Sequence, residues 1–202
     1  MTLTSLLGWA WSVGIRVQPV VSKFGFAGAV WNVEDAPVIT IAEPNRIEAF
    51  WLFDLGHEIG HVARGHLAAG AIIDVDSASP IGNIDPIELE ATTFALDLLL
   101  PNHTELLALV RAESAGRYLR FKDAISTVAR KANVSAGLLG LVAAYELSDI
   151  GQNKDRWGSA TNLARSEGSG LAITQRHLRQ HLRMPMVGTP ENALIQAAIL
   201  AD

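Results

Sequence analysis

Cysteine is absent from the 202 residues, which excludes disulfides, thiolate metal sites and a thiol nucleophile. The absence fits a reducing compartment and leaves His, Asp and Glu as the side chains able to hold a metal. Charge is sparse: 18% of residues are charged and the net charge is −5. A general polyanion binder carries the opposite balance, so no direct nucleic-acid contact is expected. Long hydrophobic runs are lacking as well. The opening stretch MTLTSLLGWAWSVG is apolar, yet it has no basic region of the kind that starts a secretory signal, and it is too short to cross a bilayer before Arg16. The expectation is a short packed helix in a soluble, cytoplasmic protein with no membrane partner. Internal repeats and low-complexity tracts do not occur.

Apolar residues make up 49% of the chain, enough for a packed core in one domain with room for a small appendage. Ile15 to Val21, Phe26 to Val33 and Val38 to Ile41 are rich in β-branched and aromatic residues and read as strands. Gly25 and the run Glu34-Asp35-Ala36-Pro37 supply the turns between them. From Asn45 the pattern turns helical. Asn45-Arg46-Ile47-Glu48 has the form of a capping box, and the helix it opens runs through Trp51 and His57 and fades near Gly65. A loop rich in Gly, Ser, Asp and Pro is expected from Gly70 to Asn83. A second capped helix follows, with Asp85 as N-cap, Pro86 as first helical residue and Glu88 in the reciprocal capping position; Pro101 ends it.

Further helices are expected over 103–115, 121–132 and 136–147, then a polar linker from Asp149 to Gly170 and two last helices over 171–183 and 190–201. The fold class is therefore α+β, a small N-terminal antiparallel or mixed sheet packed on a mostly helical body. The main domain is expected over 1–148 and a linker with a small helical appendage over 149–202.

The chemistry concentrates in His57-Glu58-Ile59-Gly60-His61, an H-E-x-x-H motif. Residues four apart on a helix share a face, so both imidazoles can address one ion. Zinc held there would lower the pKa of a water and polarise a substrate carbonyl. Glu58, one residue round the helix from His57, is placed to take that water's proton without ligating the ion. The motif lies within an apolar run from Phe50 to Ala63, where two histidines and a glutamate lacking a common purpose would be costly to bury.

A catalytic zinc site takes three protein ligands and keeps one position open. The candidates for the third are Glu88 and Glu90 on the second capped helix. Glu88 has a local task at the cap, whereas Glu90 has none, so Glu90 is the preferred ligand and Glu88 the alternative. Asp54 and Asp97 are carboxylates that could orient a ligating histidine through its second ring nitrogen.

Two blocks, Phe50-Trp51-Leu52-Phe53-Asp54-Leu55-Gly56-His57-Glu58-Ile59-Gly60-His61 and Glu88-Leu89-Glu90-Ala91-Thr92-Thr93-Phe94-Ala95-Leu96-Asp97-Leu98-Leu99-Leu100-Pro101, resemble the ImmA/IrrE metallopeptidases in content and order. With the lead-in from Leu6, the resemblance covers about residues 6 to 147. It implies a zincin-like domain, Zn2+ on His57, His61 and Glu90, and Glu58 as catalytic base. It also implies an intracellular protease that cuts a helix-turn-helix repressor in stress or mobile-element regulation. Thr92 stands where the family usually has Asn or Asp, and Leu100 where Met is frequent. Many relatives carry an N-terminal helix-turn-helix domain for which this chain has no room.

Other signals are weaker. The segment Ala129 to Leu139 has the cadence of a helix-turn-helix, but Leu141 to Leu147 offers no Lys or Arg for phosphates, so a helical wall of the peptidase is expected. His177 and His181 are four apart among arginines, which disfavours a cation and suits a solvated or partner-binding basic face. His66 and His103 read as surface residues, and Tyr118 or Tyr145 as candidates to aid an oxyanion. Against the peptidase stand two other readings: a regulatory or toxin-like protein that uses this fold for binding without proteolysis, and a DNA-binding module built on 129–147.

Overall fold

The computed structural model describes residues 1–20, 27–42, 47–74, 85–146, 162–165 and 168–181. Helix α1 (Leu3–Ser12) opens on a capping box: the Thr2 hydroxyl accepts from Ser5 N, and the Ser5 hydroxyl accepts from Thr2 N at 3.0 Å. Its apolar residues Leu3, Leu6, Leu7 and Ala10 recur at helical spacing, and all four are buried. Strands β1 (Arg16–Pro19), β2 (Gly28–Val33) and β3 (Ala36–Ile41) follow as expected from the β-branched runs. Glu34 and Asp35 both take positive φ and close the β2–β3 hairpin in two residues, matching the right-handed twist of the strands.

The sheet is mixed, in the order β1-β3-β2-β4, with β1 parallel to β3 and the other pairs antiparallel. Strand β4 (Ile72–Asp74) lies inside the stretch expected to be loop, where three residues are too few to show an alternating pattern. It pairs with Gly28 to Val30 of β2.

Helix α2 (Glu48–Ala63) runs under the sheet and is buried from Trp51 to His61 on every face. It starts at Ile47, whose side chain makes no cap, and Asn45 lies outside the described residues. Glu48 instead ties two helices together, its carboxylate accepting from Leu3 N at 3.2 Å. Helix α3 (Pro86–Leu99) begins with Asp85 accepting from Ile87 N at 3.0 Å and Pro86 in the first turn.

Helices α2 and α3 approach closely because of two glycines. A Cβ on Gly60 would lie 2.7 Å from Ala91 O and 2.9 Å from Ala91 Cα, and one on Gly56 would lie 2.9 Å from Leu99 Cδ1. A Gly60→Ala protein is expected to lose about 1–3 kcal/mol of stability by urea unfolding, because the overlap is with backbone and cannot relax by a rotamer change. The gain of roughly 1 kcal/mol in helix propensity that alanine brings is smaller than that cost. Unchanged stability would show that the helices can separate freely here.

Helices α4 (His103–Ser114), α5 (Phe121–Ala132) and α6 (Ala136–Glu146) complete the helical body. Leu138, Leu139, Leu141, Val142 and Ala143 of α6 sit in the main core, so this helix is a wall of the domain, as the lack of basic residues suggested. Within the span expected to hold an appendage, α7 (Gly170–His181) packs on α1, α2 and β1, and Leu171 joins the same core. The rest of that span is outside the described residues apart from 162–165 and 168–169, and so is the last expected helix over 190–201. Among the described residues no helix is long and apolar enough to cross a membrane.

His177 corrects one expectation: it is 8% exposed, so it does not belong to a solvated basic face. His181 stacks on it with ring centroids 4.1 Å apart and packs against Trp11 at 4.9 Å. Burial, and then the nearby His181, push the His177 pKa below 6.5. A histidine whose folded pKa lies below its unfolded value contributes full stability above the unfolded pKa, and that contribution falls as pH drops towards the folded one. Urea unfolding of a His177→Leu protein is accordingly expected to show a flatter decline in stability below about pH 6.5 than the parent; superimposable profiles would contradict the shift.

Candidate metal centre

His57, Glu58 and His61 are 1%, 1% and 0% exposed, so the motif is fully interior. The helical four-residue step brings His57 Nε2 and His61 Nε2 to 3.1 Å from each other. The third group is Glu88. Its Oε2 lies 3.1 Å from His57 Nε2 and its Oε1 lies 3.6 Å from His61 Nε2. His57, His61 and Glu88 thus form a group close enough to hold one metal ion.

Glu90, the expected third ligand, stands outside this group; its carboxylate is turned to His66, with Oε2 3.2 Å from His66 Nε2. The reason is the face of α3 that packs on α2. Ala91 and Ala95 meet Gly60 and Gly56, and Glu88, Ala91, Thr92, Ala95 and Leu99 follow one stripe at intervals of three and four. Glu90 is two residues, about 200°, round the helix from Glu88. Nor is the Glu88 carboxylate turned back to the helix cap, as its position had suggested; it reaches the histidines. Polar contact with His57 and then with His61 holds the Glu88 carboxyl far below the usual carboxylate range, against the opposing effect of burial.

The outer nitrogens of both imidazoles also have partners. His57 Nδ1 meets Thr92 Oγ1 at 3.2 Å, so the ring is held from the α3 side as well. Asp97 is exposed, and Asp54 is buried one turn before His57. His61 Nδ1 meets His66 Nδ1 at 3.0 Å. His66 therefore is not a surface residue; its side chain is 8% exposed. Gly65, with φ of 75°, reverses the chain after α2 in a conformation that glycine adopts without penalty, and folds His66 back over His61. The sequence signals for Thr92 and His66 were available: a four-residue step from Glu88, and a histidine directly after a helix-ending glycine.

Glu58 faces the sheet. A Cβ on Gly28 would overlap Glu58 Oε1, so the first residue of β2 has to be glycine for the carboxylate to occupy its place. The same Gly28 pairs with Asp74, which sets strand β4 beside Glu58 at the edge of the sheet. The side chains of Tyr118 and Tyr145 lie outside what the structure describes, and His103 at the start of α4 is part-exposed. In comparisons with known proteins, no family model and no curated protein matches this chain.

Proposed function

We propose that the chain is a zinc-dependent endopeptidase with a zincin-like fold, of the ImmA/IrrE kind, acting on a protein substrate inside the cell. The observation that carries this reading is the spacing of His57, His61 and Glu88. Ligands about 2.0–2.1 Å from a tetrahedral zinc stand about 3.3 Å apart; the two histidine Nε2 atoms are 3.1 Å apart, one Glu88 oxygen lies 3.1 Å from His57 Nε2, and its other oxygen lies 3.6 Å from His61 Nε2. Two imidazoles and one carboxylate are also a donor set used by catalytic zinc, which leaves a fourth position for a water or substrate.

Zinc bound there supplies a Lewis acid that acidifies a water and polarises a carbonyl. Glu58 accepts the water's proton as the new C–O bond forms, then delivers it to the amide nitrogen as the C–N bond breaks. Glu58 is buried under β2, where Gly28, lacking a side chain, leaves room for its carboxylate. Strand β4, a sheet edge paired to the stretch of β2 that covers Glu58, suits an extended peptide held by main-chain hydrogen bonds. A helix-turn-helix repressor as substrate rests on the sequence resemblance.

The test combines metal content with cleavage. Purified protein should carry about one zinc per chain and cut peptides in a chelator-sensitive manner. Absence of zinc, together with no stabilisation of the fold by added zinc, sinks the proposal.

A further inference from the structure

We infer that Glu90 and His66 form a positioning chain that fixes which nitrogen of His61 carries its proton and so aims the His61 Nε2 lone pair at the metal. The inference rests on the metal reading above and concerns residues outside the ligand set.

The contacts run inward from Glu90 through His66 to His61. A carboxylate only accepts, so His66 Nε2, 3.2 Å from Glu90 Oε2, must bear a hydrogen. With its ring hydrogen on Nε2, His66 is left to accept through Nδ1. That atom lies 3.0 Å from His61 Nδ1, and two ring nitrogens bond only when one donates and the other accepts. His61 Nδ1 is therefore the donor, and the other nitrogen of the neutral ring, Nε2, is bare. That is the atom 3.1 Å from His57 Nε2 and 3.6 Å from Glu88 Oε1. With the opposite proton order, an N–H would point into the centre and no metal could bind His61. The proton order in two rings is thus set from one carboxylate.

The structural context fits a positioning role. His66 is held by the Gly65 reversal, and its ring meets the His61 ring edge-on with centroids 5.1 Å apart. Phe94, one turn after Glu90, is covered by the Arg64 guanidinium, 5.9 Å from the ring centre. The Glu90 face of α3 therefore packs on the segment Arg64 to His66, and the Glu88 face packs on the ligands. Glu90 is 61% exposed, so water competes for its carboxylate and its removal should cost less than removal of His66.

Zinc affinity, measured by competition with a chromophoric chelator, tests the chain of contacts, with the visible spectrum of the cobalt(II) form as a second readout. His66→Leu is expected to weaken zinc about 10–100-fold and to alter the cobalt spectrum. His66→Gln, whose amide oxygen can accept from His61 Nδ1–H, should recover most of the affinity, while thermal unfolding of the two metal-free variants should be alike. Glu90→Ala should weaken zinc severalfold with an unchanged fold. Parental affinity in His66→Leu, or equal losses in the Leu and Gln variants, overturns the inference. If His66→Leu fails to fold, the exposed Glu90→Ala decides, and parental affinity there overturns it. Failure of the metal reading itself looks different: the parent protein then binds neither zinc nor cobalt.

Discussion

Replacing Glu58 with Gln is expected to leave zinc bound at the parental level and to lower peptide hydrolysis about 10²–10⁴-fold, the usual contribution of a positioned general base. Glutamine has the same shape and fits the space that Gly28 leaves, so the packing of α2 under β2 is preserved. It cannot take up a proton. The two readouts therefore separate: elemental analysis for zinc per chain, and mass spectrometry of products from a candidate repressor, for which the neighbouring gene is the first place to look. Retention of metal with loss of products supports Glu58 as the base. Undiminished cleavage by the variant would remove Glu58 from the chemistry, and an intact biological effect without cleavage would favour a binding role for the fold.

Glu88→Ala is expected to weaken zinc about a hundredfold. Binding free energies for structural zinc of roughly 10–16 kcal/mol, divided over four ligands, give about 3 kcal/mol for each. The removed carboxylate lies 3.1 and 3.6 Å from the two histidine nitrogens, so its loss takes away the third member of the group and its one carboxylate. Glu90→Ala removes a charge two residues away on the same helix turn and should have the smaller, severalfold effect, because that carboxylate reaches His66 and not the centre. Chelator competition on the pair of variants ranks them. The reverse order, with Glu90→Ala the more damaging, would return the third-ligand role to Glu90.

Local pattern alone determined most of the elements. Periodicity and caps placed α1, α3 and the three helices of the body within a few residues, and β-branched runs placed β1 to β3. The pair His57 and His61 was equally legible, because a four-residue step on one helix is a local relation. Strand β4 was not legible, since its three residues acquire their conformation by pairing with β2. The third carboxylate was decided by tertiary packing. Gly56 and Gly60 let α3 settle against α2 along the stripe of Ala91, Ala95 and Leu99, and that contact rotates Glu88 inward and Glu90 outward. Sequence narrowed the choice to two glutamates, but the rotation of one helix against another depends on which small residues meet across the gap. Gly28 likewise comes to lie over Glu58 only through the packing of β2 on α2, whereas His66 owes its place beside His61 to the local reversal at Gly65.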